Sequence, residues 1–531
     1  MLVRALPVSA CLAVSPLLAS AQDLSGTWVG GTNVTGSWRF AEARLHRAGD
    51  AYRGTFDVPG EQAAGLILRD LTVESGAVRF SVSTPIGAFG FTGTLTDDVM
   101  DGTVTGGPAD ARLHLFRTVE PPASRADGAV GTYQSGRRQL LLSYRAAGQL
   151  TAFVLERSGQ SEAVPRSFYA LPVGPDRYVT TGSAVAAMRR DETLTLERDA
   201  QGAVTGLRWA PPTGRATTWR KVPDLRQESV RFRGPAGTIA GTLMFPSGAA
   251  PYTAALLVSG SGPTSRGTTF LRAREFARVG VAALTVDKRG VGETDGDYFS
   301  SSITELADDA AAALDYLSTR ADVRGEQVGL SGHSQGAWVA PLAAARARRP
   351  PAWMIVTSGG PTPPAEQEAW RAATQVRQAG HDSAAVRAAV AFMQRKWRYG
   401  FTGEDWAGYA AAAGGVMRQP WATIVSPTLV QDAFAWAFIR GARDFDPMES
   451  ASALRTPVLI VFGDQDNEQP VDLTRANWIE AFRRSGHTDH EIVTVPGAGH
   501  SLWLGQGSPT PLRTQPTDVI RRWLEPRIGP R

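Results

Sequence analysis

The sequence predicts an α/β domain built on a mostly parallel sheet, carried behind two small antiparallel β modules. Beyond Val222-Pro223-Asp224, unbroken apolar runs are separated by stretches of helical spacing, the pattern of parallel strands covered on both faces. Over 24–119 the runs are short, alternate in polarity and are broken by Gly, Asp and Pro, with no helical period longer than two turns, and the theme restarts after a linker. The 531-residue length allows about three or four domains at roughly 150 residues each. A composition of 43% hydrophobic and 20% charged residues excludes disorder, collagen and coiled coil.

The chain opens with Arg4, an apolar run over 5–18 and the small residues Ala19-Ser20-Ala21. This predicts a cleaved signal at 1–21, hence a secreted or periplasmic protein beginning at Gln22. The run is broken by Pro7 and Pro16 and falls short of the ~20 residues a membrane anchor needs. A lipoprotein reading at Cys11 leaves a hydrophobic region of about six residues, too short for most signals. Cys11 is the single cysteine, so the mature chain is expected to contain no disulfide, thiolate zinc site or catalytic thiol.

The first β module is expected over 22–119. Val78, Phe80 and Val82 face one way and Arg79, Ser81 and Ser83 the other, the period of a half-buried strand. Similar runs surround 55–58, 89–95 and 111–116. Glu120-Pro121-Pro122-Ala123-Ser124 reads as a linker, after which the theme restarts in a second module over 126–222. Gly131-Thr132-Tyr133 echoes Gly26-Thr27-Trp28, and the modules end in Phe116-Arg117 and Trp219-Arg220. A Gly-x-aromatic on the first strand with an Arg on the last resembles lipocalin-like barrels, in which the guanidinium lies across the ring.

In the α/β domain, expected over 228–531, residues 230–245 form a hairpin turned at Gly234-Pro235-Ala236-Gly237. Strands follow at 254–258, 281–286, 327–330, 353–356, 457–462 and 491–495. Helices are expected at 271–279, 304–317, 338–345, 473–484 and 519–524. In 304–317, Leu306, Ala310, Leu314 and Leu317 share one face.

The strongest chemical signal is Gly332-His333-Ser334-Gln335-Gly336 between a strand and a helix, where a serine on a strained turn needs glycines on either side. Serine is a poor nucleophile alone, so a base and a group orienting it must follow. Gly463-Asp464-Gln465-Asp466-Asn467 and Pro496-Gly497-Ala498-Gly499-His500 each lie just past a strand's carboxyl end. The order Ser, acid, His and these positions resemble the α/β-hydrolase superfamily, especially bacterial esterases, thioesterases and serine-aminopeptidase-like enzymes, over about residues 228–531. The resemblance implies Ser334 as nucleophile, His500 as general base and then acid, and Asp466 as the orienting carboxylate, with Asp464 its competitor. It implies an oxyanion hole from the amides of Gln335 and of Ser261, in Ser259-Gly260-Ser261-Gly262-Pro263, with Ser259 where the superfamily often has His. A phosphate cradle there would need a Gly-Lys-Ser/Thr ending, which is missing. Asp287-Lys288-Arg289-Gly290-Val291-Gly292-Glu293-Thr294 resembles the superfamily's Asp-x-Arg-Gly-x-Gly-x-Ser turn, implying a buried Asp–Arg pair, mainly structural, with a site-lining role as the alternative. His333 is expected to pack or donate a hydrogen bond away from the nucleophile. His46, His114, His381, His487 and His490 are read as surface or structural.

The alternation lapses over about 360–455, an insertion that the resemblance makes a cap over the active site. Residues 383–397 have helical spacing. Trp370, Trp397, Trp406, Trp421 and Trp436 either line an acyl or aryl pocket or form the cap's own core. The expectation is a secreted serine hydrolase of carboxylic esters, with no cofactor and no metal. Three rivals stand beside it: a serine exopeptidase, although about 200 preceding residues are too few for a β-propeller gate; a thioesterase; and an envelope polysaccharide- or lipid-binding protein with a vestigial hydrolase domain. The +4 formal charge is an excess of Arg spread along the chain among acids, which argues against a nucleic-acid partner.

Overall fold

The computed structural model describes residues 23–528 except 34–38, 50, 59–62, 75, 85–86, 107–110, 120–127, 147–148, 159–160, 183–191, 212, 429–430, 432–434, 503–509 and 513–514. The expected signal and Cys11 lie outside the described residues. No helix of the described residues is long and apolar enough to cross a membrane.

The first eight strands, from β1 (Gly26–Thr32) to β8 (Arg112–Arg117), form a closed antiparallel barrel in which β8 returns to pair with β1. The alternation explains the closure: Val78, Phe80 and Val82 enter the core with Trp28, Phe91 and Met100, while Arg79 and Ser83 stay exposed. Opposite Trp28 in the register lies Arg117, its guanidinium 4.7 Å from the indole centroid. Trp28 Nε1 donates to the Leu24 carbonyl at 2.9 Å.

The second module repeats the design. Its eight strands, β9 (Gly131–Ser135) to β16 (Thr217–Val222), close where β11 (Gln149–Ser158) pairs with β12 (Ser161–Pro172). Tyr133 donates its hydroxyl to the Ala129 carbonyl at 2.6 Å, as Trp28 does to Leu24. The cation over its ring is Lys221 at 5.8 Å, not Arg220. The reason is register: Lys221 pairs with Tyr133, so Arg220, one residue earlier, points to the other face.

The third sheet has the order β17 (Gln227–Gly234), β18 (Gly237–Met244), β20 (Val281–Val286), β19 (Tyr252–Val258), β21 (Val323–His333), β22 (Met354–Thr357), β23 (Val458–Gly463), β24 (His490–Val495). Only β18 runs antiparallel to its neighbours. Successive residues of the fully apolar strands serve opposite cores. Ala254, Leu256 and Val258 join one with α2 (Ile303–Thr319), α3 (Gly336–Arg346) and the insertion; Ala255 and Leu257 join the other with α1 (Phe270–Arg278). That second core also takes Leu141 and Leu155 from the outer face of the second barrel.

The insertion over 360–455 is helical: α4 (Pro364–Gln378), α5 (Ser383–Thr402), α6 (Trp406–Val416) and three shorter helices. Trp397, Trp421 and Trp436 are buried in the core, with Trp406 packed against it; Tyr399, Trp406, Tyr409 and Trp436 form one ring cluster. Trp397, Trp406, Trp421 and Trp436 thus hold the insertion together, and no tryptophan among the described residues lines the cavity beside Ser334; Trp370 is half-buried outside that core.

Candidate active site

Ser334 sits at the end of β21 with φ at +54°, a left-handed conformation that strains a non-glycine residue. Its neighbours must be glycine for steric reasons. A Cβ on Gly332 would fall 2.2 Å from the Gly336 carbonyl oxygen, and one on Gly336 would fall 2.6 Å from that of Val258. The serine is therefore lifted off the sheet's carboxyl edge, with the amino end of α3 directly behind it.

Strands β23 and β24, parallel neighbours, deliver the acid and the imidazole to the same edge. Asp466 accepts from His500 Nδ1 at 2.8 and 3.0 Å through its two oxygens. The amides of Glu468 and Gln469 hold the same carboxylate at 2.9 and 3.0 Å. Asp464 is occupied elsewhere, accepting from the Gly497 amide at 2.6 Å, so it shapes the histidine loop instead of meeting the imidazole. The other ring nitrogen, His500 Nε2, lies 3.8 Å from Glu468 Oε2. Burial works against charging His500, but the hydrogen bond and charge of Asp466, with Glu468 adding, raise its pKa above the ordinary imidazole value.

The loop after β19 crosses above the nucleophile. A Cβ on Gly260 would lie 3.2 Å from Ser334 Cβ, a tight contact that the glycine avoids. Ser261 lines the same cavity, and Ser259, in the place where the resemblance expects histidine, shares a 2.6 Å hydrogen bond with Thr264 within the loop. Loop and elbow are tied together by Lys288, from the turn after β20. Lys288 Nζ donates to the Gly260 carbonyl at 2.5 Å and to Gln335 Oε1 at 2.7 Å, 4.9 Å from the Tyr298 ring. Tyr298 in turn accepts from the Gly262 amide at 2.8 Å. Burial pulls the Lys288 pKa down to about 7.

The buried ion pair expected within that turn is different in the structure. Asp287 is paired with Arg266, at 2.7 Å and with both side chains almost wholly buried, whereas Arg289 turns away to Asp309 at 2.7 Å and Glu305 at 3.2 Å. The cause is the tight turn at Gly290 and Gly292, both at positive φ, which folds the segment back. A Cβ on Gly292 would strike the Asp287 carboxylate.

Ser334, His500, His333, Gly260 and Ser261 share a cavity of about 670 Å³. The insertion covers it through Gln367, Glu368, Arg371 and Gln375 of α4; Leu271 and Arg272 come from α1, and Phe153 from the second barrel. His333 bonds to Thr357 Oγ1 at 3.0 Å, and its ring centroid is 5.1 Å from that of His500, so it is a wall of the site as well as a packing residue. Burial first, then the charges of Arg272 and His500, hold His333 well below the ordinary imidazole pKa and keep it neutral. Glu468 had a sequence signal, lying two residues after the acid. Lys288 lies in the Asp287–Thr294 motif, for which lining the site is the lesser alternative; Arg272 and the α4 side chains had no signal, since only the fold brings them to the serine. Among the described residues, no group of three His, Cys, Asp or Glu side chains is placed to hold a metal ion.

Residues 255–512 match the family described as "Alpha/beta hydrolase family". The chain is 22% identical over 357 residues to Esterase EstD of Thermotoga maritima, covering 63% of this chain and 77% of that protein. Among solved structures it is similar to a thermophilic esterase from Thermogutta terrifontis (21% identity, 57% of this chain and 100% of that one, TM-score 0.34). It is similar also to the alpha/beta hydrolase GrgF from Penicillium sp. sh18 (18%, 57% and 99%, TM-score 0.38).

Proposed function

The domain built on β17–β24 belongs to the α/β hydrolases, and from that premise we propose that this chain is an exported serine esterase that cleaves carboxylic esters through an acyl-enzyme. The observation that carries the reading is Ser334 on its strained elbow, sharing a cavity with a histidine whose far nitrogen is bonded to a carboxylate. Export rests on the N-terminal apolar run and its small-residue end.

In the proposed reaction the Ser334 oxygen attacks the ester carbonyl as His500 Nε2 takes its proton. Asp466 keeps the other proton on Nδ1 and stabilises the imidazolium; losing that tautomer control costs roughly 10⁴-fold in kcat. The carbonyl oxygen becomes an oxyanion held by the amides of Gln335 and Ser261, each worth ~3 kcal/mol in the transition state. Collapse breaks the bond to the leaving oxygen, which departs as the alcohol with the proton from His500. Water then attacks the acyl-serine, His500 taking its proton and returning it to Ser334 as the acid leaves.

The test is turnover of chromogenic acyl esters beside aminoacyl anilides by the mature chain and by Ser334→Ala. Ester turnover exceeding anilide turnover, and abolished by the substitution, is expected. Ester turnover that survives it would overturn the site, and anilide preference would overturn the class.

A further inference from the structure

From the way the second barrel meets the catalytic cavity we infer that this barrel is part of the substrate site. Phe153 forms an apolar wall for one arm of an amphipathic ester, and α4 supplies the polar wall for a hydrogen-bonding group. The inference rests on the esterase reading and names its substrate class.

Strand β11 is buried on both faces. Leu150, Ala152 and Val154 fill the barrel, while Phe153 and Leu155 point outward against the catalytic domain. Phe153 stacks on Phe270 at 6.2 Å with the rings 9° from parallel, and it lines the cavity together with Leu271 and Ser334. The chemistry of the wall from α4 is different: Gln367, Arg371 and Gln375 face the same space. Arg371 is held by Glu368 at 2.8 Å, and Gln375 by the Asn467 carbonyl at 3.4 Å, so these groups are fixed before substrate arrives.

The barrel is seated too closely to be a loosely tethered accessory. A Cβ on Gly267 would fall 2.2 Å from the Tyr144 carbonyl oxygen, and the Arg266 guanidinium lies 4.3 Å from the Tyr144 ring centroid. Arg274 of α1 reaches Asp224 at 2.6 Å, and Asp224 accepts from Thr132 of β9 at 2.6 Å. Past His500 in sequence, β25 (Thr510–Leu512) pairs antiparallel with β12. The barrel thus braces the segment that follows the oxyanion loop and receives the strand that follows the histidine loop.

The test uses the full mature chain and its Phe153→Ala variant on two ester series. In one the acyl group lengthens from acetyl to octanoyl over a constant nitrophenol; in the other the alcohol lengthens from methyl to hexyl over a constant acetyl group. A methylene packed on an apolar wall is worth about fourfold. The wild type should therefore gain kcat/KM with length in one series, mainly through KM. Phe153→Ala should flatten that gain by tenfold or more on the longer members, with a smaller loss on the shortest ester. Phe153→Leu, which keeps an apolar wall, should restore most of it, and it replaces the alanine variant if that one fails to fold. Wild-type length preference persisting in both series, or an equal loss on short and long esters, would overturn the inference. A wild type with no ester turnover at all would instead overturn the esterase reading.

Discussion

The two barrels share a plan and differ in their outer faces. Each places an aromatic on its first strand, ties that ring to a carbonyl four residues earlier, and lays a cation from its last strand over it. The first barrel's outward residues in 78–83 are polar, and it meets the second through a small patch including Val29, Phe40, Phe116, Leu171 and Val179. The outward residues Leu141, Phe153 and Leu155 of the second are apolar and enter the core of the catalytic domain. The same closing plan, Trp with Arg in one barrel and Tyr with Lys in the other, thus stands behind two different outer faces, one of which packs as a layer on the catalytic domain. The closing contact stabilises the barrel, and the outer face decides whether it takes part in catalysis.

The largest effect that separates the barrels should come from two arginines, Arg266 of the catalytic domain, which lies against the second barrel, and Arg117 of the first barrel itself. Arg266→Met strands the Asp287 carboxylate, which is fully buried, and removes the cation over Tyr144. Breaking such a pair costs about 3–5 kcal/mol, so urea unfolding should shift by that amount and ester turnover should fall with it. Arg117→Met removes the cation over Trp28, the partly exposed Asp98 contact and the donations to the Asp23 and Ser25 carbonyls, together worth about 1–2 kcal/mol, and should leave kcat/KM unchanged. A matching loss of turnover in Arg117→Met would erase the distinction between the barrels.

Next in size is Lys288→Met, which cuts the catalytic domain's own tie between oxyanion loop and elbow while leaving the barrel interface intact. Looser amide donors should lower kcat by about ten- to a hundredfold with KM little changed. A fall in KM-dependent terms alone would assign Lys288 to substrate binding instead.

The smallest effect lies in the pH profile. His500 must be neutral to accept the serine proton, and Asp466 and Glu468 raise its pKa. The acid limb of kcat/KM should therefore lie above the ordinary histidine value of about 6.5, with activity rising as pH increases through it. Glu468→Gln removes the negative charge near Nε2 and should move that limb to lower pH by a few tenths of a unit, since Glu468 is half exposed. An acid limb that does not move would mean that Glu468 is not felt by the imidazole.

Much of this difference was written in the chain. Gly332, Ser334 and Gly336 announce the elbow because only glycines fit that turn, and the clean alternation of Val78-Arg79-Phe80-Ser81-Val82 announces a barrel wall with one wet face. Leu140-Leu141-Leu142 and Ala152-Phe153-Val154-Leu155 break the alternation, which is the mark of strands buried on both faces, although no local pattern says what covers the second face. Asp466 could be separated from Asp464 by loop position, since both follow the same strand and only one reaches the histidine. The Asp287–Arg266 pair and the reach of Lys288 were not legible, because their partners lie 21 to 47 residues away and meet only through the turn at Gly290 and Gly292. Lys221 in place of Arg220 was a one-residue matter of register, fixed by strand pairing rather than by motif.

The account stands or falls on Ser334 as the nucleophile. Rapid acid quench during turnover of a slowly deacylating ester, followed by peptide mass spectrometry, reads it directly. The acyl mass should appear on the peptide containing Gly332-His333-Ser334-Gln335-Gly336 and nowhere else, and should vanish in Ser334→Ala. An acyl adduct on any other residue, or turnover with no covalent intermediate from an enzyme that burst kinetics shows to be saturated, would contradict it.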